Sequence, residues 1–265
     1  MVRLTIDGKV VEAKKGTSIL HAAESVGIKI PTLCYIEDLL PDGSCRMCMV
    51  EIENRGRTKM ETACTAQVAE GLVVTTNSEK VRNARRNILD MLLSNHKTDC
   101  FSCPSNGDCK LQELCFEYGI ERTTYSGEQT ELPIDDSNKF FTYNPNLCIL
   151  CHRCVNTCHK IVGRGAIDTM ERGFDSAIGT PFHIDWADTN CESCGNCVQA
   201  CPTGALTMKR RKNYRKYQID KKVLTTCPHC ATGCQYYLLV KDNRIVDVEG
   251  ANVESNKVLL FLKVL

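Results

Sequence analysis

The chain has 265 residues, 19 of them cysteine, a formal net charge of +1, and only 6% aromatic residues with a single Trp. The odd cysteine count, the lack of an apolar leader after Met1 and the recurrence of C-x2-C pairs argue against a secreted disulfide scaffold and for metal binding in a reducing, cytosolic compartment. No apolar run is long enough to span a bilayer. The near-zero charge makes no case for nucleic acid or a membrane surface, the more so because metal-bound thiolates add negative charge that the formal sum omits.

Residues 2–6 and 9–13 flank Asp7-Gly8, a hairpin turn pair. Thr17 or Ser18 caps a short helix that puts Ile19, Ala22, Ala23 and Val26 on one face and ends at Gly27. Apolar residues alternate around 47–52, a turn at 54–57 leads to a strand near 59–63, and 72–76 is another strand. This predicts a small mixed sheet packed on a helix. The same stretch carries Cys34, Cys45, Cys48 and Cys64, with Gly43 and Ser44 letting the backbone wrap an inserted centre. Four thiolates suit zinc or a [2Fe–2S] core, and the single C-x2-C pair favours the iron–sulfur core.

A helix follows from 77 or 78 to about 95, with Val81, Ala84, Ile88, Met91 and Leu92 at helical spacing. Then comes His96-x3-Cys100-x2-Cys103-x5-Cys109, in a loop with Pro104, Gly107 and Asp108, and a short helix over 110–118 with Leu111, Leu114, Cys115 and Tyr118 on one face. Three clustered thiolates call for a fourth ligand. His96 is the stronger candidate, and its imidazole raises a cluster's reduction potential relative to a thiolate. Cys115 sits on the apolar face and reads as a buried structural thiol. The alternative role for His96 is a cation at the helix C-terminus.

Residues 124–139 are polar, contain Gly127 and Pro133, and read as a connector. Beyond it, 148–158 and 191–201 repeat the spacing C-x2-C-x2-C-x3-C. This is the bacterial two-cluster ferredoxin spacing, in which the fourth Cys of each run serves the other cluster. One [4Fe–4S] core is therefore expected on Cys148, Cys151, Cys154 and Cys201, and a second on Cys191, Cys194, Cys197 and Cys158. Pro202 follows the last Cys as the pattern expects, while His159 stands where the other Pro would be. The basic run at 209–216 is expected to be a solvated face or a subunit contact. Strands are expected at 236–240 and 244–248. Between them and the basic run, Cys227, Cys230 and Cys234 in TCPHCATGC lack an obvious fourth thiolate. That group could take a non-Cys ligand, hold a three-iron cluster, bind zinc with His229, or stay empty.

The order of these groups through residue 208 resembles the N-terminal part of the large iron–sulfur subunit of respiratory complex I. It is similar as well to the N-terminal region of iron-only hydrogenases, the diaphorase small subunit of NAD-linked hydrogenases, and the large subunit of NAD-dependent formate dehydrogenases. The resemblance implies an α+β chain. A [2Fe–2S] β-grasp, ferredoxin-like domain over 1–77 would come first. A small helical domain over 78–135, where one His and three Cys hold a [4Fe–4S] cluster, and a two-[4Fe–4S] ferredoxin-type domain over 136–208 would follow. The remainder, 209–265, is expected to be a short β-rich remnant. Within it, TCPHCATGC and VKDNRIVDVEGA resemble the opening of a molybdopterin oxidoreductase domain. There the family's fourth Cys falls at Phe261, between Val258 and Val264, and Phe261 cannot ligate iron.

The implied function is an electron-transfer subunit carrying one [2Fe–2S] and three [4Fe–4S] clusters, with a further Fe–S cluster or zinc at 227–234 as an added centre. It would work beside a flavin-containing, NAD(P)H-reactive subunit and further redox subunits, with ferredoxin and electron bifurcation as an extension. No catalytic residue, flavin or pterin is expected in the chain. No G-x-G-x-x-G lies between a strand and a helix, and Gly163-x-Gly165 is too short to count. The alternatives are a truncated N-terminal part of a formate dehydrogenase large subunit and a zinc-scaffolded interaction protein.

Overall fold

The computed structural model describes residues 1–228, 231, 233–253 and 256–257, with the backbone alone at 212, 213, 252, 253, 256 and 257. Cys230, His229, Val258, Phe261 and Val264 lie outside the described residues. The chain divides into two compact units, Met1–Ser94 with Leu114–Gly127, and Asn95–Glu113 with Glu128–Leu265. Among the described residues no helix is long and apolar enough to cross a membrane.

The first unit is built on a five-stranded mixed sheet. Its strands are β1 (Val2–Ile6), β2 (Lys9–Ala13), β3 (Met49–Asn54), β4 (Arg57–Thr62) and β5 (Val73–Thr75), in the order β2-β1-β5-β3-β4. Only β1 and β5 run parallel; the other pairs are antiparallel. Both hairpins close on two-residue turns in which both residues have positive φ: Asp7 (47°) with Gly8 (80°), and Arg55 (50°) with Gly56 (77°). That geometry matches the twist of the flanking strands and favours Gly at the second position. The inward residues Leu4, Ile6, Val11, Val50, Ile52 and Val74 pack against α1 (Ile19–Ser25) through Ile19, Leu20, Ala22 and Ala23. Ser18 caps α1, its Oγ accepting from the His21 N–H at 3.2 Å.

Helix α2 (Glu79–Ser94) buries Val81, Arg85, Leu89 and Leu93, one position round from the face predicted, and Met91 is exposed. The reason is Arg85, a charged residue in the buried stripe at 3% exposure. Its guanidinium donates to the Met49 carbonyl at 2.8 Å and the Tyr118 hydroxyl at 3.0 Å, so sheet and helix meet around a hydrogen-bonded cation and not an aliphatic contact. Apolar periodicity cannot register such a position. Asp90 adds a second tie, accepting from Thr123 and Thr124 beyond α3 (Lys110–Glu117). Leu114 and Cys115 of α3 are buried.

In the second unit β6 (Phe141–Tyr143) pairs antiparallel with β9 (Leu206–Met208), bracketing the Cys repeat. Between them lie α4 (Arg153–Asn156), the hairpin β7 (Asp168–Met170) and β8 (Ala177–Gly179), and α5 (Asn196–Ala200). The core is small: Phe141, Tyr143, Leu147, Ile167, Ile178, Trp186, Val198 and Leu206 surround buried cysteines. Trp186 meets Phe141 and Tyr143 edge to face at 5.3 and 5.2 Å. A meander of β10 (Lys221–Thr226), β11 (Gln235–Lys241) and β12 (Arg244–Gly250) follows, its second turn formed by Asp242 (φ 50°) and Asn243 (φ 57°). A short pair, β13 (Asn252–Val253) and β14 (Asn256–Lys257), comes last.

The expectation that 209–216 is a freely solvated face is corrected. Arg210 pairs with Asp247 at 2.5 Å, Arg211 with Asp108, and Lys216 with both Asp108 (3.0 Å) and Glu249 (3.2 Å). The run stitches the loop before Cys109 to β12 within one unit. Its carboxylate partners stand more than 30 residues away in sequence, where no local pattern could reveal them.

Arg85→Ala is expected to lower stability by about 2–4 kcal/mol, because the Met49 carbonyl and the Tyr118 hydroxyl would lose a charged donor in a buried site. Thermal unfolding monitored by circular dichroism checks it; a loss below about 0.5 kcal/mol, typical of a surface site, would contradict the buried tie.

Candidate metal centres

No described cysteine is in a disulfide. In the first unit the Cys45–Cys48 loop turns at Arg46, whose φ of 58° is left-handed, after Gly43 at 64°. The Cys48 and Cys64 sulfurs lie 3.4 Å apart, and Cys34 and Cys45 form a second hydrogen-bonded thiol pair. The bond from Cys45 pulls the Cys34 thiol down, and the same bond, with burial, pushes Cys45 up; Cys48 and Cys64 divide in the same way. All four thiols lie within electrostatic reach of one another. Each pair therefore gives up one proton far more readily than two, unless a cation arrives to take the second thiolate. Gly43 allows the close approach: a Cβ there would sit 3.1 Å from Thr65 Cγ2.

In the second unit the loop 100–109 is a run of tight turns: Cys103 N–H to Cys100 O, Asn106 N–H to Cys103 O, and Asp108 N–H to Ser105 O. Cys100, Cys103 and Cys109 feel one another's charge, and burial pushes Cys109 up to about 11. His96 is 7% exposed, and burial pushes its imidazole down to about 4, so it is neutral. Its Nδ1 is buried with no hydrogen-bond partner among the described residues. A neutral imidazole with an orphaned buried nitrogen has the chemistry of a ligand waiting for a metal. The loop packs on the chain after Cys201. Lys110 N–H donates to Pro202 O at 2.8 Å, and a Cβ on Gly204 would fall 2.6 Å from Cys103 Sγ, so only glycine fits there.

The repeat shows the same backbone twice. Leu150 (φ 51°) and His152 (58°) occupy the x2 spacers of the first run, and Ser193 (54°) and Gly195 (75°) the same positions of the second. Left-handed backbone costs a non-glycine residue about 1–2 kcal/mol, and here it turns amides toward sulfur. Leu150 N–H donates to Cys148 Sγ at 3.4 Å, Ser193 N–H to Cys191 Sγ at 3.3 Å, and Ala166 N–H to Cys158 Sγ at 3.3 Å. Two cavities result. One is lined by Cys158, Cys191, Cys194 and Cys197, with Trp186, Ile167 and the Arg164–Glu192 ion pair around them. The other is lined by Cys148, Cys151, Cys154 and Cys201, with Tyr143, Ile178 and Leu206. Each cavity thus draws three thiols from one run and the fourth from the other. Burial pushes Cys148 and Cys151 up to about 12, and Cys154 and Cys197 well above the ordinary thiol range. Thiols as deeply buried as Cys148, Cys151, Cys154 and Cys197 become thiolates most readily around a multiply charged cationic core.

Four thiols ranged round each cavity are the donor set of a multi-iron core with one thiolate per iron, so the residues present fit iron–sulfur clusters. Of the last group, Cys227 and Cys234 are joined by a backbone bond, Cys227 N–H to Cys234 O at 2.8 Å, and Cys227 packs against Tyr236 and Val248. Sequence reasoning missed Trp186 and Gly204, which lie against these centres with no motif to mark them.

Comparison with known proteins follows the same order along the chain. A 2Fe-2S iron–sulfur cluster binding domain model matches 1–79, the iron–sulfur binding region of NADH-ubiquinone oxidoreductase G matches 85–124, and the ferredoxin-like domain of NADH-quinone oxidoreductase subunit 3 matches 140–207. A 4Fe-4S dicluster model matches 190–238, and a molybdopterin oxidoreductase Fe4S4 model matches 220–257. The chain is 42% identical over 256 residues to the NADPH-Fe(3+) oxidoreductase subunit alpha of Geobacter sulfurreducens, covering 97% of this chain and 30% of that protein. It is 41% identical to a G-type NADH-quinone oxidoreductase subunit of Rhizobium meliloti, covering 89% of this chain and 27% of that one. The chain therefore spans about a third or less of these two relatives. Among solved structures, an NAD+-reducing [NiFe]-hydrogenase in the H2-reduced state matches with a TM-score of 0.72 and 30% identity, covering 78% of this chain and 87% of that chain. The chain is a mixed α/β protein of ferredoxin-like iron–sulfur domains, and it belongs to the family of iron–sulfur subunits of NAD(P)H-linked oxidoreductases that includes the complex I large iron–sulfur subunit and NAD(P)-linked hydrogenase subunits.

Proposed function

We propose that this chain is an electron relay with no catalytic site of its own. It would pass single electrons between a flavin-bearing, NAD(P)H-reactive subunit and a further redox partner, ferredoxin among the candidates, in a reducing compartment. The observation that supports this best is the pair of cavities that the Cys repeat lines, each with a crossed set of four thiols. The two sites lie within electrostatic reach of one another: Cys197 feels the charge of Cys201, and Cys154 that of Cys197. Neighbouring one-electron centres suit transfer along a chain.

Under this assignment Cys34, Cys45, Cys48 and Cys64 hold a [2Fe–2S] cluster, and His96, Cys100, Cys103 and Cys109 a [4Fe–4S] cluster. Two further [4Fe–4S] clusters rest on Cys148, Cys151, Cys154 and Cys201, and on Cys191, Cys194, Cys197 and Cys158. Cys227, Cys230 and Cys234 form an incomplete site. The clusters supply reversible one-electron chemistry. The protein supplies the thiolates and one imidazole, excludes water by burial, and aims amide N–H groups at the sulfurs. The domain division over 1–77, 78–135, 136–208 and 209–265 belongs to the same proposal, as does a β-grasp identity for the first sheet, which the strand order β2-β1-β5-β3-β4 around α1 supports. The relatives' names, an NADPH-Fe(3+) oxidoreductase subunit and an NADH-quinone oxidoreductase subunit, favour a nicotinamide-reactive partner.

His96→Cys is expected to keep the iron content and to lower the midpoint potential of one [4Fe–4S] centre, because a thiolate adds the negative charge that imidazole lacks. An unchanged redox titration by electron paramagnetic resonance would remove His96 from the ligand set. Purified anaerobically from its native cells, the chain is expected to carry a flavin-bearing subunit with it, and NADH or NADPH should bleach its visible absorption only while that subunit is present. Homomeric purification without flavin would contradict the partner assignment.

A further inference from the structure

Trp186 is 2% exposed, and its indole Nε1 is buried with no hydrogen-bond partner among the described residues. A buried donor of this kind nearly always finds an acceptor, and leaving it unmet is costly. The ring cannot swing out to water. Phe141 and Tyr143 grip it edge to face, and the Trp186 backbone N–H is tied to Asp135 Oδ2 at 2.9 Å. Trp186 also lines the cavity of Cys158, Cys191, Cys194 and Cys197. The charged pair on the same wall, Arg164 and Glu192, is already joined at 2.6 Å. What remains to accept from the indole is the content of the cavity.

We propose that Trp186 Nε1–H donates a hydrogen bond to a sulfur of the cluster held in that cavity, and so raises the reduction potential of this centre above the value it would have without the indole. This rests on the assignment of an iron–sulfur cluster to the cavity. A hydrogen bond to cluster sulfur stabilises the more negative, reduced state; in the neighbouring cavity Tyr143 donates its hydroxyl to the Ile178 carbonyl at 2.5 Å and lies against the Cys148 thiol, and Thr203 donates to the Leu147 carbonyl at 2.8 Å beside Cys201. Trp186 is thus a tuning residue that touches the cofactor, and it biases where an electron rests between the two four-thiolate sites.

The chain has one Trp, so labelling with indole-15N tryptophan is site-specific. In the anaerobically purified full chain, pulsed electron paramagnetic resonance of the reduced [4Fe–4S] signals should show a 15N coupling on one of them, together with a proton coupling that exchanges in deuterium oxide. Trp186→Phe should remove both couplings and shift the midpoint potential of that centre downward, leaving the other centres where they were. Absence of the 15N coupling in the wild-type chain, with all [4Fe–4S] signals present, would overturn the proposal even if Trp186→Phe failed to fold. An unshifted potential in a folded Trp186→Phe would overturn it equally. If the cavity held no iron at all, the failure would lie with the cluster assignment, and the other [4Fe–4S] signals would be seen without this one.

Discussion

The fold depends on one constraint: thiols buried in groups of four cannot ionise together without a cation among them. Burial, the largest of several causes, pushes Cys148 and Cys151 up to about 12 and Cys109 up to about 11, far above the pH of any cell. Insertion of a cationic core reverses this, expelling the protons and binding the thiolates in the same step. Cys154 and Cys197 belong to the second unit's core and Cys103, Cys148, Cys158, Cys191 and Cys201 pack against it, so under the proposed assignment cluster insertion would consolidate that core. The ten aliphatic and aromatic side chains of that cluster, around two thiol-lined cavities, would make a meagre core by themselves.

The backbone serves the same end. Positive φ at Leu150, His152, Ser193 and Gly195 is locally unfavourable for the three that are not glycine. It persists because each run must turn its sulfurs inward while sending amides toward them. The recurrence of the same strained positions in both runs supports a common requirement over chance. Glycine appears where the approach is closest, as at Gly204 against Cys103. Electrostatics outside the cavities is directed to holding segments in place: Asp108, beside Cys109, is clamped by Arg211 and Lys216, and the latter continues to Glu249 on β12.

Much of this could be read from the sequence. Asp7-Gly8, Arg55-Gly56 and Asp242-Asn243 are turn chemistry, local by nature, and the hairpins fall on them. The Cys spacings are local as well, and the crossed runs they imply match the two cavity linings. What escaped was non-local. Arg85 sits in a buried helical stripe because of partners on β3 and past α3. The basic run at 209–216 looks like a surface because its carboxylates lie far off in sequence. Trp186 carries no motif, and its role depends on an indole nitrogen that only a three-dimensional structure shows to be without a partner. Apolar periodicity and ligand spacing are one-dimensional signals, and these three features arise only when distant segments meet.

The most direct test of the cluster assignment is the mass of the anaerobically purified chain measured under native and then denaturing conditions. One two-iron and three four-iron cores with their sulfides predict a loss of about 1.2 kDa on denaturation, rising to about 1.6 kDa if the Cys227–Cys234 site also holds a four-iron core. A loss of only about 0.1–0.3 kDa, the mass of a few zinc ions bound as single centres, would contradict the account.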